Sequence, residues 1–393
     1  MARSLYPDLQ YFNLDDSELR DTLKGVRTAA WARNIGPSVL DEAQKEPTVF
    51  EKVKYAYDAG GLDFSVLLGS SRIMLLEQVR ESLAGRAFLF DLWPTMLSEV
   101  ALGAWDSSSD LEPRRPLFDQ LLRVERSVHE VLGEQPEVFL GDEEHRRLDA
   151  LEYLLEWGGM PGLFDLTDGD RKDWLRSYQQ TYLERDLADL VRLRDLYPFR
   201  ALQQLAMLRS GQVLSYSKLG RDAGVKASTT KEYLEYLDLT YQVIRLRPYY
   251  RNLTSSVVKT PKLYWADLGL LRQGTGQWGV TTGAMFENFV VAEAHKWIHT
   301  MAAEAQLYFY RTRSQREIDL LIETPAGLLG IEIKQRDQTV PSDARSMVAL
   351  AEALADKPGL RWLGGLVVYR GKFARPLVEE HGIWSVPVHH LFS

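Results

Sequence analysis

One hairpin constrains this chain more than any other stretch. Residues 317–323 and 328–334 each alternate side chains with a period of two, and Thr324-Pro325-Ala326-Gly327 between them has turn chemistry. Two strands joined by four residues fold back antiparallel, and the register sets Asp319 opposite Glu332. Alternation puts Ile318, Leu320 and Ile322 on one face and Glu317, Asp319 and Leu321 on the other. In the second strand Ile331 and Ile333 oppose Gly330, Glu332 and Lys334. Directly opposed Cβ atoms sit about 4.5–5.5 Å apart, where like charges destabilise a sheet. Something must offset them. Lys334, two residues along on the same face, is one candidate. A divalent cation is the other, and carboxylates suit hard ions such as Mg²⁺.

The flanking pattern builds an α/β unit around the hairpin. A helix is expected from residue 283, with Glu287 on the otherwise apolar row Val291, Ala294, Ile298. A strand follows at 307–311. After the hairpin come a helix at 342–355 and strands at 362–369 and 383–388. A helix Glu, then Asp, then Glu-x-Lys resembles the PD-(D/E)xK nuclease fold. The resemblance implies that Asp319 and Glu332 hold Mg²⁺, that Glu287 orients metal or water, and that Lys334 activates water. The alternative is a structural ion-pair ladder of Asp319, Glu332 and Lys334. Arg311, Arg313 and Arg316 either follow a phosphate backbone or form a solvated loop. The histidines, including His295, His299, His381, His389 and His390, read as structural or surface residues.

At 393 residues the chain holds roughly two to four domains. It has no cysteine, which excludes disulfides, thiolate metal sites and cysteine nucleophiles, and fits a cytoplasmic protein. A net charge of −8 excludes general coating of nucleic acid, so any such contact needs a local basic surface. No run reaches the ~20 apolar residues of a membrane span.

The first ninety residues alternate strand and helix, as a parallel sheet does. An apolar strand at 38–40 ends in Asp41-Glu42, strands at 64–68 and 87–90 follow, and acids at a strand's carboxyl end sit where open sheets bind ligands. Asp41-Glu42-Ala43-Gln44, Leu68-Gly69-Ser70-Ser71 and Ser82-Leu83-Ala84-Gly85-Arg86 together resemble the AAA-like ATPase family whose C-terminal half is called DUF4143. That resemblance makes Asp41 and Glu42 a Walker B pair, Ser70 a sensor and Arg86 a phosphate-facing arginine, with ATP as cofactor. The phosphate loop, G-x-x-x-x-G-K-[ST], is absent from the sequence. ATP hydrolysis by this chain alone is therefore not expected, and the first hundred residues are expected to be less stable than a complete ATPase domain.

The middle is helical. Gly158-Gly159 and Pro161 end one amphipathic helix, and Glu184, Arg185 and Asp186 read as an ionic cluster. Residues 199–250 give helix, Gly turn, helix and an apolar strand, a winged helix-turn-helix pattern. Its second helix would present Thr229, Thr230 and Lys231 to DNA. Structural packing is an equal reading, and a protein partner a third. Asp267 reads as a helix cap. The expected fold class is multidomain α/β: a truncated P-loop-type sheet (1–92), a helical lid (93–195), a winged helix (196–252) and a nuclease-like domain (253–393). The function read from it is an ATP-binding-family protein with a nuclease-like domain acting on or near nucleic acid. The alternatives are a non-catalytic DNA- or protein-binding module, or ATP-dependent remodelling if an upstream segment supplies the phosphate loop.

Overall fold

The computed structural model describes residues 2–69, 72–103, 115–123, 126–190, 196–249, 260–312, 316–355 and 359–393. Ser70, Arg251, Arg313 and the side chains of Glu184, Arg185 and Asp186 lie outside what is described. The chain divides into two compact units, one ending at Phe90 and the other starting at Asp91.

In the first unit β1 (Gln10–Asn13), β2 (Ser38–Asp41) and β3 (Val66–Leu67) form a parallel sheet in that order. Between β1 and β2 lies α1 (Ser17–Gly25), started by Asp16, whose carboxylate accepts the amides of Glu18 and Leu19. Helix α2 (Thr48–Asp58) follows β2 and contributes Val49, Phe50 and Val53 to a small core with Leu14, Leu23 and Trp31. The strand expected at 87–90 is not in the sheet. Phe88 and Phe90 are 90% and 82% exposed. The physical reason is at β3, which pairs only with β2, through two residues, and has no strand on its other side among those described.

The second unit is built on one mixed sheet. In chain order the elements that position the site include α3 (Asp142–Trp157), α4 (Tyr197–Met207), α5 (Tyr216–Asp222), α6 (Ala227–Leu239), β4 (Val243–Pro248), β5 (Lys262–Trp265), α7 (Leu268–Thr275) and α8 (Gly283–Thr300). Then follow β6 (Gln306–Arg311), β7 (Glu317–Thr324), β8 (Gly327–Lys334), α9 (Arg345–Ala355), β9 (Trp362–Tyr369), β10 (Arg375–Val378), β11 (Ile383–Pro387) and α10 (Val388–Phe392). The sheet order is β10-β11-β9-β8-β7-β6-β4-β5. Strand β4 pairs parallel with β6 and antiparallel with β5. Residue 253 lies between β4 and β5, which pair within this sheet.

Leu320, Ile322, Ile331 and Ile333 pack on the α8 side of the sheet, and Ile318, Leu321 and Val367 pack on the α9 side. Ile318 therefore does not share a face with Leu320 and Ile322, as strict alternation required. A β-bulge is the cause. Tyr308 pairs with Leu321 but Tyr310 pairs with Ile318, so Asp319 and Leu320 together face Phe309.

Helix α8 is buried along most of its length because both sides are used. On one side Glu293 accepts the Leu97 amide at 2.8 Å and Trp297 Nε1 donates to Asp119 at 3.1 Å. On the other, Asn288 behaves as a sheet neighbour for the edge strand β5. Its Nδ2 donates to Trp265 O (2.8 Å), and its Oδ1 accepts the Trp265 amide (2.7 Å) and the Ser210 hydroxyl (2.6 Å). Elsewhere Gly158-Gly159 meets Asp267. The Gly159 amide donates to Asp267 Oδ2 at 2.8 Å, and the other oxygen caps α7 at Leu270 (2.9 Å). A Cβ on Gly269 would lie 1.9 Å from Trp157 O, so only glycine allows this approach.

Asn288 is fully buried, and truncating it leaves three buried polar partners unmet. Asn288→Ala is expected to destabilise the protein by about 3 kcal/mol or more, read as a lower midpoint in urea denaturation.

Candidate active site

The hairpin keeps its expected register: Thr324 pairs with Gly327 and Leu320 with Ile331. One step further Asp319 would face Glu332, and there the backbone ladder gives way. Asp319 Oδ2 accepts the amide of Ile333 at 2.9 Å. The bulge that displaces Asp319 from strict alternation thus places its carboxylate at the opening end of β7 and β8.

The structure brings Glu287, Asp319, Glu332 and Lys334 into one electrostatic neighbourhood. Lys334 Nζ donates to Glu332 Oε1 at 2.7 Å. Glu332 Oε2 is buried and has no hydrogen-bond partner among the described residues. Burial pushes the Asp319 carboxyl well above its ordinary value, and the neighbouring Glu332 and Glu287 push it further, against Lys262 and the Ile333 amide. Glu332 is raised chiefly by burial, which outweighs the opposing effect of Lys334. For Lys334 burial works against the charge, but Glu332 beside it prevails and the ammonium is held protonated.

Three further residues belong to the site and were missed in the sequence. Lys262, on β5, is 3% exposed and reaches Glu287 at 3.0 Å and Glu317 at 2.5 Å. Tyr264 donates its hydroxyl to Glu287 at 2.6 Å. Glu317 also meets Arg311 at 3.3 Å. Alternation along Lys262-Leu263-Tyr264-Trp265 was the available signal, since it puts Lys262 and Tyr264 on one side of a strand. The cluster holds four carboxylates, Glu287, Glu317, Asp319 and Glu332. Asp319 makes no ion pair among the described residues. Among the described residues, no three of these carboxylates bring one oxygen each within 4.8 Å of the others.

The other sequence-predicted sites fare differently. Asp41 closes β2, but its carboxylate is engaged: Oδ1 accepts the Glu42 amide at 3.0 Å and Oδ2 accepts the Tyr11 hydroxyl. Glu42 adopts a left-handed backbone (φ 53°) and accepts from Gln44 Nε2 at 2.9 Å. Arg86 donates to Asp58 at 2.7 Å and to Ala84 O, instead of turning toward Asp41. Ser70 lies outside the described residues. Asp41, Glu42 and Arg86 are thus each engaged by neighbours within the first unit, and the sequence contains no G-x-x-x-x-G-K-[ST] loop. In the second helix of the helix–turn–helix, Lys231 is exposed, Thr229 half-buried and Thr230 fully buried. Thr230 therefore cannot read DNA. Its hydroxyl bonds Lys226 O, and Gly220 packs so close that a Cβ there would sit 2.3 Å from it. Nearby arginines are paired: Arg209 with Asp222, and Arg245 with Asp238.

The folded protein holds the Asp319 proton at pH values where the unfolded chain has released it. Stability from this group is therefore full below the usual carboxylate range and falls as pH rises toward the elevated value. In EDTA, Asp319→Asn is expected to be more stable than the parent by about 1–3 kcal/mol at neutral pH, with the gap closing as pH falls to about 4. Denaturation midpoints across pH measure it.

Residues 1–101 match an AAA domain, and residues 282–391 match DUF4143, a domain of unknown function. Residues 148–277 match a second domain of unknown function, DUF8612, which runs from within α3 through the helix–turn–helix, β4 and β5 to α7. The uncharacterized protein Rv2008c of Mycobacterium tuberculosis is 28% identical over 368 residues, covering 91% of this chain and 70% of the relative. The uncharacterized protein Mb2031c of Mycobacterium bovis gives the same values. The crystal structure of protein VC1899 from Vibrio cholerae aligns over 92% of this chain and 90% of its own at 14% identity, but a TM-score of 0.20 carries no structural argument. No described helix is long and apolar enough to cross a membrane. With an AAA-domain match at one end and a DUF4143 match at the other, in a mixed α/β architecture, the chain is similar to proteins that combine these two domains.

Proposed function

We propose that the second unit is a divalent-metal-dependent phosphodiesterase of the PD-(D/E)xK type, acting on nucleic acid. The observation that carries this reading is that Glu287, Asp319 and Glu332 lie close enough to act on one another's charge, with one carboxylate oxygen of Glu332 buried and unpartnered among the described residues. Asp319 and Glu332 would hold Mg²⁺, which when bound supplies Lewis-acid activation of the scissile phosphate and of water. Glu287, fixed by Lys262 and Tyr264, orients the water side of the site. Lys334 is held as an ammonium ion, which suits stabilising charge on the pentavalent phosphorane better than abstracting a proton. Arg311 and Arg316 flank β7 and supply backbone contacts to the substrate.

One observation favours a second reading. Lys262 already bridges Glu287 and Glu317, as a structural cation would. On that reading the cluster is an ion-pair lattice in a non-catalytic binding module.

Mg²⁺-dependent nicking of supercoiled DNA, with single-stranded DNA and RNA as parallel substrates, separates the two. Asp319→Ala and Lys334→Ala are each expected to lower the rate by about 10²-fold or more. Equal rates in the parent and both variants, or no Mg²⁺ dependence, would leave only the ion-pair lattice.

A further inference from the structure

Away from the hairpin, a second cluster of ligand-type side chains lies where α3 meets the C-terminal helix α10. Glu144, in the first turn of α3, faces His389 and His390. One donor atom from each lies within 4.8 Å of the others. His389 Nε2 is 3.1 Å from Glu144 Oε1, and His390 Nε2 is 3.8 Å from Glu144 Oε2. The two imidazoles stand nearly perpendicular, at 83°.

We propose that Glu144, His389 and His390 form a binding site for a transition-metal cation of the Zn²⁺ type, which staples the C-terminal helix to α3. Three observations carry it. The side chains are shielded: His389 is 0%, His390 3% and Glu144 9% exposed. Two of the inward atoms, His390 Nε2 and Glu144 Oε2, are buried without a hydrogen-bond partner among the described residues, which a native interior rarely tolerates. The donor set is two imidazole nitrogens and a carboxylate oxygen, the composition zinc and its neighbours accept. Metal–ligand distances near 2.0–2.1 Å put tetrahedral donors roughly 3.3 Å apart, so the observed separations need only small rotations.

The charged groups around the cluster do not forbid a cation. Arg147 comes from the next turn of α3, but it is tied to Glu143 at 2.8 Å and to Ser393 O at 2.6 Å. Lys372 and His145 also act on Glu144. Burial, then Arg147 and Lys372, bring His389 down to about 4; burial, then His389 and Arg147, bring His390 to about 3. Both rings are then neutral at physiological pH, the form that ligates metal.

The test is titration of the full chain carrying Asp319→Asn, which removes the other candidate cation site, with Co²⁺ and then Zn²⁺. Co²⁺ reports through its visible d–d absorption and Zn²⁺ through calorimetry and the unfolding temperature. One equivalent is expected to bind and to raise that temperature. Glu144→Gln and His390→Asn, each checked for folding by circular dichroism, are expected to weaken binding at least 100-fold. His145→Asn, a change at the exposed neighbour, is expected to leave it unchanged. Absence of a Co²⁺ spectrum, or parent-like affinity in folded Glu144→Gln and His390→Asn, overturns the site.

Discussion

The carboxamide of Asn288 reading both polar groups of Trp265 is the interaction on which the candidate active site depends. Strand β5 is the last strand of its sheet, and a sheet edge normally leaves amides and carbonyls open. Asn288 fills that position from a helix. Its immediate neighbour, Glu287, is thereby set against Lys262 and Tyr264 of the same strand. Helix, edge strand and hairpin are three separate elements, and the adjacent side chains of Glu287 and Asn288 together tie the first two. A carboxylate on a helix free to slide by even one ångström would not keep two hydrogen bonds to β5 and still face Asp319.

Charge is the second constraint. Four carboxylates share a region with Lys262, Lys334 and Arg311, and Asp319 is the one without an ion pair among the described residues. Such an arrangement is costly in the absence of something positive. The protein meets the cost partly by raising the Asp319 carboxyl, which keeps its proton, and partly by giving it the Ile333 amide. A cation would have to displace that proton, so any metal affinity of the cluster is expected to rise with pH.

The hairpin was legible because its information is local: two alternating runs and a turn fix a register without knowledge of the rest of the chain. The bulge was not, since an extra residue opposite Phe309 leaves no trace in the alternation of β7 itself, and Ile318 consequently faces the side opposite to that expected. Lys262 was passed over because a lysine in an apolar strand normally signals an edge facing water, whereas here it is buried among acids contributed by residues 287 and 317. Thr230 looked like a DNA-reading residue by its place in the helix, but the close approach of Gly220, several residues upstream, encloses it. The strand expected at 87–90 had the right composition and lacked a partner, and composition alone cannot supply one.

The meeting of Gly158-Gly159 with Asp267 has a consequence for the order of synthesis. The two groups are 108 residues apart in sequence, and the carboxylate that receives the Gly159 amide also starts α7. While the chain emerges from a ribosome, α3 leaves first and must wait until Asp267 and Gly269 have appeared before its C-terminal end can dock. During that interval its apolar face, with Leu151, Leu154 and Leu155, can pack on the earlier helix Leu97–Ala101 but not yet on α7 or α10. The second unit is therefore expected to assemble late and as a whole, with its helical part exposed to chaperones for longer than a self-contained helical domain would be.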